Sequence, residues 1–117
     1  ILSKAVQLCQ VQDSSLLVWL GAAIGPAHYQ VRRDVKDSLL QTFPDAETAF
    51  SQIADNQYQC DLKLIASNQL RQLGVEQIFD SGLDTYANPK RFYSYRREPK
   101  TGRMAALIWM TRFNTSL

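Results

Sequence analysis

The sequence predicts an α/β (α+β) fold, a mixed sheet packed with helices, and three observations carry that reading. An apolar run without polar alternation, Leu16 to Ile24 (LLVWLGAAI), has the character of a strand covered on both faces. Two segments, RRDVKDSLLQTF and the stretch from Asp61 to Gly74, set their apolar residues at three- and four-residue steps, the period of a helix. Strand-like and helix-like segments then alternate with no internal repeat and no low-complexity stretch. Of the 117 residues, 45% are hydrophobic, enough for one core, so residues 1-117 are expected to form a single domain.

The chain opens on ILSKAVQLC, where Ile1, Leu2, Ala5, Val6 and Leu8 fall at helical spacing, but no Ser, Thr, Asp or Asn precedes Ile1 to cap such a helix. QVQDSS connects to the Leu16 to Ile24 strand, which Gly25 and Pro26 end in a turn. Tyr29 to Val31 reads as a short strand. Val31, Val35, Leu39 and Leu40 then line one face of a helix that stops before Pro44, with Arg32, Arg33 and Lys36 on its wet side. Asp45 is placed to cap a further helical stretch, AETAFSQIA. Asp61 opens the strongest helix, its face made of Leu62, Ile65, Ala66, Gln69, Leu70 and Leu73 and its stop Gly74. VEQIFDSG follows as a strand, then a loop through Gly82, Asp84, Thr85, Asn88 and Pro89. Met104 to Met110, apolar at every other position on both faces, predicts a central, doubly covered strand.

A formal charge of +2 and a pI near 8.7 give no compositional support to nucleic-acid or membrane binding. No apolar run approaches the ~18 residues of a membrane span, and nothing resembles a cleavable signal, so a soluble, cytoplasmic protein is expected. Cys9 and Cys60 lie far apart without a zinc-site spacing and are expected as reduced, buried thiols. His28, the one histidine, follows Gly-Pro and is expected at the surface of a turn. No glycine-rich nucleotide motif and no HExxH occurs.

The charge gathers in one place. Arg91 to Arg103 holds four arginines and a lysine beside Phe92, Tyr93 and Tyr95. Arginine forks match phosphate and carboxylate, and aromatic rings beside them stack a base or a sugar, so Ser94, Tyr95, Arg96, Arg97 and Arg103 are candidates for holding an anionic or nucleoside-like ligand. The turn signal PKTG folds Arg103 back beside Arg96 and Arg97 across a hairpin. The same residues also read as a solvated hairpin whose arginines pair with Glu98 and other surface acids. Arg96 and Arg97, as neighbours on a strand, would point to opposite faces, one toward a site and one toward structure.

The string RFYSYRREPKTGRMAALIWM resembles the C-terminal signature of the YfiH-like laccase-domain family, also called the multicopper polyphenol oxidase or purine nucleoside phosphorylase family. The resemblance extends back through LGVEQIF, the Asp61 helix and WLGAAIGPAHYQV, and so covers essentially the whole chain. Departures are Ala22 where proline is usual, Gln30 where an acid is usual, Arg32 where glycine is usual, and Asp84 where cysteine is frequent. The resemblance implies the C-terminal half of a longer fold whose metal ligands, two histidines and a cysteine, lie in the other half. It implies zinc or copper in the intact protein, no metal held by this chain, and no catalytic residue in it. The partners implied are a purine nucleoside, phosphate and the N-terminal half, with no nucleic acid and no membrane. The activity implied is phosphorolysis of adenosine, inosine, guanosine or methylthioadenosine, with adenosine deamination also attributed to the family. A copper-dependent polyphenol oxidase and a non-catalytic nucleotide or anion-binding module stand as alternatives. The chain alone is expected to be inactive.

Overall fold

In the computed structural model residues 1–9, 16–109 and 111 are described. The elements are α1 (Leu2–Leu8), β1 (Leu17–Leu20), β2 (Gln30–Arg32), α2 (Arg33–Thr42), β3 (Phe50–Ala54), β4 (Gln57–Cys60), α3 (Leu62–Gln72) and β5 (Gln77–Asp80), with 3-10 turns at Pro26–His28 and Pro44–Ala49. The class is the predicted mixture of helices with parallel and antiparallel strands, divided here between two sheets. β1 and β5 run parallel, with Val18 beside Ile78 and Trp19 beside Phe79. β4 lies between β2 and β3 and is antiparallel to both.

One helix serves both sheets. The Asp61 carboxylate accepts a hydrogen bond from the Leu64 N–H at 3.0 Å, capping α3 as the sequence predicts. Gly74, at φ +85°, supplies the left-handed residue that stops it. Ile65 and Leu70 are five residues apart, about 140° around the helix, and so face different clusters. Ile65 joins Val31, Ala46, Ala49, Tyr58 and Cys60 beneath the antiparallel sheet. Leu70 meets Val6 and Val75 against the inner face of β1 and β5. Lys63 extends from α3 to Asp80, Ser81 and the Leu83 carbonyl, tying the helix to the chain that leaves β5.

Several expectations give way to tertiary context. Only Leu17–Leu20 of the Leu16 to Ile24 run is strand, and it is covered on one face, with Leu17 61% and Trp19 54% exposed. AETAFSQIA is no helix. A 3-10 turn ends at Ala49, and the rest becomes β3 of a hairpin, because strand pairing with β4 satisfies more backbone groups than a short isolated helix would. Met104 to Trp109 forms no strand: no described strand pairs with it, and Leu107, Ile108 and Trp109 stand open to solvent. Met110 and the QVQDSS connection from Gln10 to Ser15 lie outside the described residues. Cys9 is exposed rather than buried, while Cys60 is buried as expected and burial, with the Asp61 charge, pushes its thiol up to about 11. No helix among the described residues is long and apolar enough to cross a membrane.

The hairpin turn also finishes a neighbouring helix. Asn56 sits at φ +57° between β3 and β4, and its side-chain carbonyl accepts the Arg33 N–H at 3.1 Å. Arg32, at the N-cap of α2, makes no such bond with its own side chain, so the cap comes from across the sheet. Asn56→Ala should therefore cost about 1–2 kcal/mol, the left-handed backbone penalty together with a lost cap. Asn56→Gly, which tolerates the backbone, should cost less. Urea denaturation of both variants checks the order.

Candidate functional site

The loops leaving β1 and β5 stay paired beyond the strands. Ser81 N–H donates to the Leu20 carbonyl, Ala23 N–H to Leu83, and Thr85 N–H to Ala23, so the parallel register runs on to an Ala23–Asp84 bridge. Loops at the carboxyl ends of parallel strands are where α/β folds place ligands. The continued register brings Asp84 against Gly25, where a Cβ would fall 2.5 Å from the Asp84 Oδ2. It also brings Asp84 to His28, 56 residues earlier in the chain.

His28 is thus no free surface histidine. Its Nδ1 lies 2.8 Å from Asp84 Oδ2, and its ring stacks on Tyr86 with centroids 4.5 Å apart. Burial works to raise the Asp84 carboxyl, but hydrogen bonds from His28 and from the backbone N–H groups of Gly25, Ala87 and Tyr86 outweigh it and hold it down to about 2. An ionised carboxylate only accepts, so Nδ1 is the donor in this pair. Sequence reasoning missed this pair because no local spacing connects a turn at residue 28 to a loop at residue 84. A histidine–carboxylate pair of this kind orients an imidazole.

The predicted site residues divide. Ser94, Tyr95 and Arg96 line one hollow of about 290 Å³ with Ile24, Tyr29 and Tyr93. The Arg96 guanidinium lies 5.0 Å from the Tyr29 ring centroid and donates to the Gln30 carbonyl at 3.2 Å. Arg103 lies over Tyr95 at 5.9 Å, so it returns to the same corner, through a turn at Tyr95 to Arg97 and an irregular chain rather than the predicted hairpin. Arg97 turns away. Its guanidinium donates to the carbonyls of Thr85, Tyr86 and Phe92 at 2.7–2.8 Å, and its buried Nε has no hydrogen-bond partner among the described residues, the Glu98 carboxylate lying 3.9 Å away. The two neighbours point apart, as expected of them, although a turn rather than a strand separates them.

A second, wider cleft of about 450 Å³ opens between the β1 and β5 loops and α3, lined in part by Gly25, Lys63, Ser67, Arg71, Asp80 and Asp84. Its charges are mostly satisfied internally. Lys63 holds Asp80, and its hydrogen bond, with one from the Gly82 N–H, keeps that carboxyl below its ordinary value.

Residues 1–111 match the family described as multi-copper polyphenol oxidoreductase laccase. The chain belongs to this laccase family. Among its relatives, proteins named purine nucleoside phosphorylase YfiH from Shigella flexneri and from Escherichia coli are each 37% identical over 110 residues, and one named purine nucleoside phosphorylase from Pseudomonas aeruginosa is 36% identical over 111. Each alignment takes in 94% of this chain but only 45–46% of the relative, so the chain spans under half the length of these laccase-family proteins. Among solved structures, a Neisseria meningitidis protein of the DUF152 family superposes with a TM-score of 0.79 at 29% identity, covering 82% of this chain and 40% of that one. YlmD from Geobacillus stearothermophilus superposes at 0.76 and 31%, covering 86% and 38%. The family's description implies copper, but among the described residues no group of three or more His, Cys, Asp or Glu side chains is arranged to hold a metal ion. His28 spends Nδ1 on Asp84, and the Cys60 thiol is raised and buried.

Two outcomes follow from these contacts. Arg97→Ala should lower stability by roughly 3 kcal/mol in denaturant unfolding, since three partly buried carbonyls lose a charged donor, and Arg97→Lys should recover only part of this. For Asp84, the folded carboxyl sits below its ordinary 3.8, so the stability it contributes is present above that value and fades as pH falls from about 5 toward 2. The melting-temperature gap between the wild type and Asp84→Asn should therefore be widest near neutral pH and close in acid.

Proposed function

We propose that this chain is the C-terminal half of a longer purine nucleoside phosphorylase and supplies its ligand-holding arginine corner, with the metal ligands, for zinc or copper, in the other half. The observation that carries the reading is the placement of Arg96. Its guanidinium is pinned between the Tyr29 ring and the Gln30 carbonyl at the edge of a hollow rimmed by Tyr93, Ser94 and Tyr95, with Arg103 beside it. The relatives named purine nucleoside phosphorylase support the substrate class.

In phosphorolysis a phosphate oxygen bonds to C1′ as the bond from C1′ to the purine nitrogen breaks. The electron pair leaves with the base, which takes up a proton. A metal, where bound, adds Lewis-acid polarisation. The residues of this chain act on position and charge. Arg96 holds a phosphate oxygen pair, its fork set in advance so that little ordering is needed as charge shifts. Tyr93 and Tyr95 give the base or sugar an aromatic wall. Arg97 and the His28–Asp84 pair fix the loops on which these residues sit. The exposed face made by Leu17, Trp19 and Phe79 is the surface against which the other half packs, since a parallel sheet is covered on both sides.

The family description favours a second reading, copper-dependent oxidation of phenols, in which the same tyrosine-walled hollow takes an aromatic ring.

In the intact protein supplied with inosine and phosphate, Arg96→Ala should reduce phosphate-dependent base release on the order of 100-fold, with little change in unfolding midpoint, because Arg96 is exposed. Full activity in that variant refutes the assignment of Arg96. Base release by residues 1-117 alone refutes the division of the site between two halves, and phenol oxidation without base release favours the second reading.

A further inference from the structure

Another hollow of about 380 Å³ shares Tyr29 and Arg96 with the Ser94–Tyr95 hollow and is lined besides by Gln30, Val31, Arg32, Val35 and Gln57. Its lining is one-sided in charge: two arginines, two glutamines and no acidic residue. The antiparallel register of β2 and β4 sets Arg32 directly beside Gln57, so the cation and the amide meet on one rim. The nearby acids are directed elsewhere. Asp34 lines a separate hollow with Ser38 and Thr42, and Asp55 faces Arg33 at 3.9 Å. Among the described residues Arg32 has no ion-pair partner.

Two cations that share a hollow without a counter-charge raise each other's energy, and a bound anion relieves both. Arg96 is already positioned by the Tyr29 ring and the Gln30 carbonyl, which leaves further guanidinium donors for a ligand at small entropic cost. Carboxamide N–H groups of Gln30 and Gln57 can complete an oxygen-rich shell. We propose that the Arg32–Arg96 hollow is a second anion subsite, taking the phosphate of a phosphorylated ligand whose uncharged part crosses Arg96 into the Ser94–Tyr95 hollow. The ligand therefore spans two hollows that share Tyr29 and Arg96. That its uncharged part is a nucleoside rests on the reading under Proposed function.

Isothermal titration of AMP, adenosine and inorganic phosphate into the intact protein tests the subsite without requiring turnover. AMP should bind about tenfold tighter than adenosine, the effect of charge-assisted contacts to one phosphate. Arg32→Gln should bring AMP close to adenosine, and Gln57→Glu, which sets a carboxylate on the same rim, should do the same. Arg32 and Gln57 are both exposed, and circular dichroism confirms that each variant folds. An AMP affinity no better than that of adenosine overturns the proposal, as does a preference for AMP that survives Arg32→Gln. Inorganic phosphate separates the sources of the anion: binding weakened by Arg32→Gln shows that free phosphate occupies the subsite, and binding confined to AMP shows that a phosphomonoester is required. Phosphate binding that Arg32→Gln leaves unchanged, with no AMP preference, places the anion elsewhere and sinks the assignment. Failure of inosine phosphorolysis would count against the phosphorylase reading alone, since this comparison reads affinity only.

Discussion

Everything else in the structure hangs on α3 having two buried sides. Ile65 and Leu70 both lie almost wholly out of solvent, yet they serve different clusters, one under the antiparallel sheet and one under the parallel pair. Neither sheet is large enough to hold a core alone, and the helix between them lends each a second layer. Asp61 at one end and Gly74 at the other fix where that helix begins and stops. The consequence for function is positional. With the Lys63 link to Asp80, Ser81 and Leu83, α3 holds the loop after β5 in place, and that loop carries Asp84 and the carbonyls that receive Arg97.

The arginine corner is built by giving each cation a different task. Arg97 is used up by three carbonyls, so it joins the loop at residues 85–86 to the turn at Phe92 and leaves no fork for a ligand. Arg96, one residue earlier, meets a ring and one carbonyl and keeps donors to spare. A charged donor shared among several backbone acceptors is strong scaffolding, whereas one steadied by an aromatic face is restrained without being consumed. Adjacent residues of one type thus separate through geometry alone into one whose donors the frame takes up and one that keeps donors to spare.

Apolar surface tells a related story about covering. Trp19 and Phe79 stand side by side on the open face of the parallel pair, with Leu17 next to them, and Leu107 to Trp109 are exposed further along the chain. A residue pattern records that a strand is suited to burial on both sides, but burial requires a second surface. Where no such surface lies among the described residues, the run from Met104 stays irregular and the outer face of β1 stays bare.

The strongest local signals were legible without coordinates: the capped and glycine-stopped helix from Asp61, the periodic helix before Pro44, the strand at Gln77–Asp80 and the cation-rich corner from Ser94 to Arg103. Each rests on neighbours a few residues apart, where backbone geometry and side-chain spacing act directly. The AETAFSQIA stretch has a helix-like pattern but yields β3, because that strand is held by pairing with β4, a contact that local periodicity does not encode. The same holds for the His28–Asp84 pair, the Asn56 cap on α2 and the Arg32–Arg96 hollow, each of which joins residues at least 20 positions apart. Sequence by itself determined the fold class, the best helix and the residues from which a site could be drawn. Tertiary structure alone decided which arginine is scaffold and which is free, because only the folded chain brings distant carbonyls, rings and carboxylates within bonding distance of a given guanidinium.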